Sequence, residues 1–196
     1  MTLEAYGRAM KITIGDLELA QFTPKDTRAL YCIRNHISVR QFLTKPDFIA
    51  YKTHVEWVRK NLIDERKLWL FMIRLKGKAI GFSMLKPEGE DTAEIGLMFR
   101  EANTHPVVPV YAAAATLHCA FWVLKFAWLT SYPVPTNERA LAINRAFGPE
   151  EVESERAGTI KLRMNREMCE RNPNFIRVFG RIKNRMAVTL GNDARS

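Results

Sequence analysis

Only three of the 196 residues are cysteines, and no two of them form a CxxC pair. Cys32, Cys119 and Cys169 are too scattered for a disulfide framework, and the first two lie in apolar helical patterns where a free thiol packs as a small core residue. None of the four histidines has a cysteine or carboxylate at the intervals typical of zinc ligands. The sequence therefore predicts a metal-free protein of a reducing, cytoplasmic compartment.

Long apolar stretches are also scarce. One of them, residues 107–129, is formally long enough to span a membrane. Its four successive alanines and a strand-like exit at 129–132 favour instead a helix buried against a sheet. The N-terminus lacks the apolar core of a signal peptide. We therefore expect no membrane association.

Acidic residues are outnumbered, because 30 lysines and arginines face 21 aspartates and glutamates, for a formal net charge of +9. Such an excess predicts attraction to an anionic molecule: a nucleotide cofactor, a sugar nucleotide, nucleic acid or an acidic protein surface. A basic surface that only aids solubility is an equal alternative.

The first half of the chain has the pattern of a strand, two helices and an antiparallel meander. Residues 17–22 alternate weakly as a strand, and Thr23-Pro24-Lys25-Asp26 is typical of a helix start. We expect the apolar face of this first helix to carry Leu30, Ile33 and Ile37. A second helix over 49–63 and strands over 67–75, 78–85 and 92–99 follow, the first two strands forming a hairpin.

The second half alternates helix and strand. An apolar helix, a strand near 129–132, a helix beginning after Asn137 and a closing hairpin over 151–156 and 159–164 are predicted in turn. A basic C-terminal helix then carries Phe175, Phe179, Ile182 and Met186 on one side. The expected fold is α/β, with a mixed central sheet flanked by helices and an extra C-terminal helix. We divide it into an extension (1–16), a main domain (17–170) and a basic helix and tail (171–196).

This order of elements resembles the GNAT family of N-acyltransferases over roughly residues 17–166. The motifs that carry the resemblance are Ile80-Gly81-Phe82, Glu94-Ile95-Gly96, and Asn137-Glu138-Arg139-Ala140 through Phe147-Gly148. Three further segments resemble a subgroup that acetylates amino-sugar nucleotides in the synthesis of pseudaminic-type acids: Arg34-Asn35-His36, Arg40-Gln41-Phe42-Leu43 and His54-x-x-Trp57-Val58.

The resemblance implies that acetyl-CoA or another acyl-CoA is the donor. The residues that it places against this cofactor are Leu97, Met98, Phe99, Val108, Val110, Tyr111, Asn137 and Arg139. The phosphate loop of the family is glycine-rich, whereas residues 104–110 here contain no glycine and two prolines, which lack a backbone donor. We therefore expect diphosphate binding at this helix start to be weakened or reshaped, with Arg100 or Arg139 as partial substitutes for the amides.

Four residues are considered for the two proton-transfer roles, base and acid. Glu94 is the candidate base, beside a glycine that leaves room for a substrate, although an ordinary strand-end charge explains it as well. In the family a tyrosine acts as the general acid. The matching position here is Asn144, which cannot supply a proton. Tyr132 and Tyr111 are the alternatives. Asn137 precedes a helix and is fully explained as its cap, with cofactor contact as an additional possibility.

Four residues near the N-terminus are candidates for binding the acceptor: Arg34, Asn35, Arg40 and His54. The two arginines suit an anionic acceptor, or equally a solvated helix face, and a lone histidine is more often structural. The favoured function is transfer of an acyl group to a small-molecule amine by a homodimeric enzyme. The alternatives are a GNAT-like binding or assembly module without the usual activity, and a transferase that modifies nucleic acid or an RNA-associated protein, which the net charge alone supports.

Overall fold

The computed structural model describes residues 8–100 and 105–192. The strands are β1 (Arg8–Ile14), β2 (Leu17–Gln21), β3 (Trp69–Leu75), β4 (Lys78–Pro87), β5 (Thr92–Phe99), β6 (Trp128–Ser131), β7 (Glu150–Val152), β8 (Lys161–Asn165) and β9 (Met186–Asn192). They form one sheet in the order β7-β8-β6-β5-β4-β3-β2-β1-β9. All pairs are antiparallel except β5 with β6, which is parallel.

Helices cover both faces of this sheet. They are α1 (Thr27–Arg34), α2 (Ile37–Arg40), α3 (Tyr51–Val58), α4 (Val107–His118), α5 (Glu138–Ala146), α6 (Arg166–Arg171) and α7 (Pro173–Ile182). Short 3-10 turns lie at Pro24–Asp26 and Lys183–Arg185, and π-helical turns at Arg59–Asp64 and Cys119–Val123. The predicted α/β fold, with a mixed sheet between helices and an extra C-terminal helix, is confirmed.

The alternating side chains of the central strands fill two separate cores. On β3, Trp69, Phe71 and Ile73 pack on the face covered by α4, α6 and α7. Leu70 and Met72 pack on the opposite face, with apolar residues of α1, α2 and α3. A strand buried on both sides reads as a continuous apolar run because neither face meets water.

The first helix is shorter than the sequence predicts. It begins after the expected Thr23–Asp26 turn, where Asp26 accepts hydrogen bonds from the Thr23 amide and hydroxyl, both at 2.9 Å. The helix ends at Arg34, because His36 adopts an extended backbone and its imidazole caps α2. Ile37 consequently points outward and is 57% exposed, so its assignment to the apolar face was wrong.

The apolar segment 107–129 divides into α4, a π-helical turn and the start of β6. Its four successive alanines are buried against the sheet, with Ala112, Ala114 and Ala115 fully inaccessible. Within residues 8–100 and 105–192, no helix combines the length and apolarity that a membrane crossing requires.

The C-terminal segment packs on this same apolar helix. The indole of Trp122 stacks on Phe175 with ring centroids 5.7 Å apart, and Phe179 lies parallel to both rings. The sequence predicts Met186 on the face of α7, but in the structure this residue begins β9. This strand pairs with β1 along its whole length, from Arg8 opposite Asn192 to Ile14 opposite Met186. Residues from all three predicted segments therefore contribute strands to the sheet.

Two neighbouring strands separate in the middle of the sheet. β5 and β6 pair only from Thr92 opposite Trp128 to Glu94 opposite Thr130. Beyond Glu94, β5 continues along β4, while β6 follows β8. A cleft therefore opens between the two strands, and residues 95–99 expose one peptide edge to it.

Gly81 on β4 allows the backbone of β5 to approach closely. A Cβ atom at Gly81 would lie 2.3 Å from the carbonyl oxygen of Met98, which is closer than two such atoms can approach. The two backbones can therefore come together at this pair only without a side chain. Because the contact is with backbone rather than a flexible side chain, it cannot relax locally.

Replacing this glycine tests the close approach. Gly81→Ala should lower the free energy of unfolding by at least about 1–3 kcal/mol, the usual cost of forcing an extra carbon into a packed core. Urea unfolding followed by circular dichroism measures it. Gly180→Ala is the control, because open space surrounds this glycine in α7. This change should raise the free energy of unfolding by about 0.5–1 kcal/mol, since alanine is the better helix former. Equal effects of the two substitutions would contradict the packing argument.

Candidate functional site

A cavity of about 670 Å³ lies where β5 and β6 separate. It is bordered by β4, β5, β6 and β8, by helices α4 and α5, and by residues 38, 39 and 41–44 of α2 and the loop after it. Most of its lining is apolar, including Met84, Leu97, Met98, Phe99, Leu129 and Ile143. A large apolar cleft with a few converging polar groups is the usual form of a small-molecule site.

The carboxylate of Glu94 lies at the point where the strands part. Its side chain is only 14% exposed, and Oε2 accepts a hydrogen bond of 3.0 Å from Arg156. Lys86, directly opposite on β4, places its Nζ 3.8 Å from the same oxygen. Glu94 is therefore a fixed, ion-paired group in the cavity wall rather than a solvated strand-end charge.

Arg156 connects this carboxylate to the opposite rim of the cavity. Its guanidinium also donates to Glu88 at 2.7 Å and lies over the ring of Tyr132, 3.5 Å from the centroid. The hydrogen bond with Glu94 raises the pKa of Arg156, so the cation is permanent. Sequence reasoning missed Arg156, because it lies in the loop of the closing hairpin, 62 residues from Glu94. No local pattern signals such a pair.

Tyr132 lines the cavity, but its hydroxyl is engaged at the rim. It donates to Oε1 of Glu155 at 2.6 Å. Burial raises the pKa of Tyr132, and the hydrogen bond to Glu155 raises it further, so the phenol keeps its proton. That bond is also the main reason why the pKa of Glu155 falls to about 2. Tyr132 can act as a proton donor only if a bound molecule replaces Glu155 as its partner.

The predicted residues on α5 also reach the cavity. Asn137 caps the helix, since its Oδ1 accepts the Ala140 amide at 3.1 Å. Asn144 lines the cavity but donates its amide to the Ala140 carbonyl at 2.9 Å, which restrains the side chain along its own helix. Arg139 lies in the first turn of α5 and belongs to the same wall. The helix thus presents one side to the cleft.

The predicted cofactor residues divide into two groups. Leu97, Met98 and Phe99 lie on the free edge of β5 and line the cavity. Val108, Val110 and Tyr111 pack on the hydrophobic core instead. Within the described part of the chain, α4 contributes other residues to the lining: Pro109, Ala113 and Leu117.

The backbone N–H groups of Val107 and Val108, in the first turn of α4, are already hydrogen-bonded. The Val107 amide donates to the imidazole Nδ1 of His105 at 3.3 Å, and the Val108 amide donates to the His105 carbonyl at 2.9 Å. Pro106 and Pro109 have no N–H group. From Pro106 to Pro109, no amide remains for an anion, although a helix start normally offers several. Thr104, the first residue of the predicted phosphate loop, lies outside the described residues.

An acyl-CoA therefore fits this site in part. The open edge of β5 and the apolar cleft suit the pantetheine arm, whose amides can pair with strand peptide groups. The turn at the start of α4 does not suit the diphosphate, because its donors are internally satisfied.

The four predicted acceptor residues lie beside the cavity rather than in its lining. Arg34 and Arg40 donate to the carbonyls of Lys45 and Pro46, at 2.9 and 3.2 Å. Asn35 forms two hydrogen bonds of 2.9 Å with the backbone of Ile49. All three side chains brace the segment that follows the cavity-lining residues 41–44.

His54 is buried behind this segment. Its ring packs against Tyr31 and Trp57, and only 3% of the residue is exposed. Burial lowers the pKa of His54, so the imidazole stays neutral at physiological pH. Whether it contributes to substrate binding remains a prediction.

Met84 occupies the space that the sequence assigned to a substrate beside Gly96. Its methyl and Cγ atoms lie 3.1 and 3.3 Å from the position that a Cβ of Gly96 would take. The missing side chain thus makes room for methionine, which is flexible and adapts to irregular volumes. A substrate that approaches Glu94 from this face must displace the thioether.

Comparisons with known proteins agree with this geometry. No characterised protein sequence matches the chain significantly. Among solved structures, AAC(6')-Ib in complex with ribostamycin and coenzyme A is 17% identical with a TM-score of 0.68, over 81% of this chain and 98% of that one. Apo FdhC, described as a nucleotide-linked sugar GNAT, has the same identity and TM-score, with coverage of 85% and 94%. RimJ of Mycobacterium smegmatis, in complex with CoA-disulfide, is 17% identical with a TM-score of 0.64, over 88% and 93%.

At such identities the structures establish the fold alone, but a sequence-family model also matches. It describes the acetyltransferase (GNAT) domain and covers residues 16–149, about two thirds of the chain. The cleft between β5 and β6 lies almost wholly within this range. The chain therefore belongs to the GNAT acetyltransferase family.

Proposed function

We propose that the protein is an N-acetyltransferase that transfers an acetyl or similar acyl group from coenzyme A to a primary amine. The observation that carries this proposal is the position of Glu94, a nearly buried carboxylate at the point where β5 and β6 separate. Relatives of this fold contain CoA or acetyl-CoA in their structures, which supports the same donor here.

Acetyl-CoA supplies a thioester, whose carbonyl carbon bonds to the amine nitrogen as the C–S bond breaks. The amine must lose a proton and the departing sulfur must gain one. Glu94 takes the amine proton through a water molecule, since its carboxylate faces the cavity and accepts hydrogen bonds. Arg156 and Lys86 keep that carboxylate in one orientation. Tyr132, which remains protonated, is the candidate donor to sulfur.

A nucleotide-linked amino sugar is the acceptor class that we favour. Its support is the resemblance of Arg34-Asn35-His36 and Arg40-Gln41-Phe42-Leu43 to amino-sugar nucleotide acetyltransferases, together with the structural similarity to FdhC. The net charge of +9 suits an anionic nucleotide. Arg34 and Arg40 would act by positioning residues 41–44 against the acceptor, as their hydrogen bonds to the following segment indicate.

A second candidate function is a binding module that keeps the GNAT fold without its activity. Two observations favour it. The first turn of α4 has no amide left for a diphosphate between Pro106 and Pro109. Asn144 also stands where the resemblance to the family implies a proton-donating tyrosine. Failure of CoA to bind would favour this alternative.

Removing the charge of Glu94 tests its role as the base. Glu94→Gln should reduce kcat at least about 100-fold, the lower range for general base catalysis, with little change in the affinity for acetyl-CoA. Glu88→Gln is the matched control, because it also removes an ion pair with Arg156, whereas Glu88 does not line the cavity. Calorimetry and thiol release give the two values. An unchanged kcat in Glu94→Gln would remove this residue from the mechanism.

A panel of amines tests the acceptor class. The release of CoA thiol from acetyl-CoA is measured with a nucleotide-linked amino sugar, ribostamycin, spermidine and a peptide N-terminus. We expect the nucleotide-linked amino sugar to have the highest kcat/KM, by at least about tenfold, because its phosphates add interactions that the other amines lack. A higher kcat/KM with any other member would overturn the acceptor assignment, and no release with any amine would favour the binding module.

A further inference from the structure

The start of α4 has an arrangement that bears on how the donor is recognised. A diphosphate at a helix start is normally held by unpaired N–H groups together with the positive end of the helix dipole. Here Val107 and Val108 donate to His105, and Pro106 and Pro109 have no hydrogen to donate. Of the four residues 106–109, two are prolines without an N–H group, and the amides of the other two already donate to His105.

The part of the donor site along β5 keeps free peptide groups and an open cleft. Residues 95–99 of β5 pair with β4 on one edge, and no cross-strand pair with β6 is formed beyond Glu94 and Thr130 in the described chain. This open edge runs along an apolar cavity of about 670 Å³. A pantetheine arm, which is extended and carries two amides, matches a strand edge of this length.

From this contrast we infer that the protein recognises its donor through the acyl-pantetheine arm, and that the adenosine diphosphate portion of CoA adds little to affinity. The inference rests on the proposed function, because it concerns the donor of that same reaction. Its consequence is that the substrate is chemically an acyl thioester of phosphopantetheine. Both free CoA and a prosthetic arm carried on another molecule present this group.

Truncated ligands separate the two portions of the donor. Calorimetric titrations of the full chain with CoA, 4'-phosphopantetheine and 3',5'-ADP provide a readout that needs no turnover. We expect 4'-phosphopantetheine to bind within about tenfold of CoA, a difference below 1.4 kcal/mol, and 3',5'-ADP not to compete. A loss greater than tenfold would overturn the inference. It would mean that Arg100, Arg139 or residues outside the described range hold the diphosphate.

A variant that restores one donor tests the structural cause. Pro109→Ala provides a new N–H group in the first turn of α4, where helix amides lack intrahelical acceptors and the His105 carbonyl already accepts from Val108. Because 4'-phosphopantetheine keeps one of the two linking phosphates, pantetheine is the reference ligand here. The ratio of its dissociation constant to that of CoA isolates the phosphates and the adenosine, since any change in the cavity wall affects both ligands alike. We expect the preference for CoA to increase about 2- to 10-fold, the worth of one hydrogen bond. An unchanged ratio would show that the diphosphate does not approach α4 and would overturn the assignment.

These outcomes are distinct from failure of the proposed function. If CoA and 4'-phosphopantetheine bind alike but no amine is acetylated, the inference holds and the transferase proposal fails. If acetyl-CoA supports catalysis while S-acetyl-4'-phosphopantetheine has a kcat/KM more than tenfold lower, the transferase proposal holds and the inference fails. Binding of neither ligand would overturn both.

Discussion

The separation of β5 from β6 is the constraint on which the candidate site depends. The two strands pair in parallel for three residues, after which each follows its other neighbour. β5 stays against β4 because Gly81 allows the Met98 carbonyl to approach the backbone. β6 stays with β8, and the Ile160 amide extends that contact by donating to the Pro133 carbonyl. The cleft is thus produced by competing strand pairing rather than by a loop.

Charged groups connect the elements around the point where the sheet pairing ends. At the last paired residue, Glu94 is held by Arg156, which also joins Glu88 and lies on the ring of Tyr132. One cation therefore links the turn after β4, β5, the exit of β6 and the loop of the closing hairpin. Partly buried groups of this kind are costly to leave unpaired, so the network fixes the wall of the cavity as well as the carboxylate.

Local patterns made most of the fold predictable. The β3–β4 hairpin, the cap at Asn137 and the buried alanines of α4 each follow from neighbouring residues in the sequence. Contacts between distant segments were not predictable. β9 pairs with β1 although 178 residues separate Thr189 from Lys11, so Met186 was wrongly placed on a helix face. The break at His36 escaped notice because histidine is an uncommon N-cap.

The same division applies to the site. Glu94, Asn137 and the edge residues 97–99 were found because a strand and a helix start have recognisable sequence patterns. Arg156 and Met84 were missed, because their positions depend on how the sheet closes and on the space beside Gly96. The absence of glycine and the presence of two prolines around the start of α4 did signal an altered phosphate loop. Only the structure shows that His105 accepts hydrogen bonds from both remaining amides, those of Val107 and Val108.

Hydrogen exchange on addition of CoA tests the central claim most directly, since it reports on the open edge of β5 itself. Amides in residues 95–99 that face the cleft should become protected when the pantetheine arm pairs with them. Residues 186–192, at the far edge of the sheet, should be unaffected. Protection confined to the start of α4, with no change in β5, would contradict the conclusion that the separated strands form the donor site.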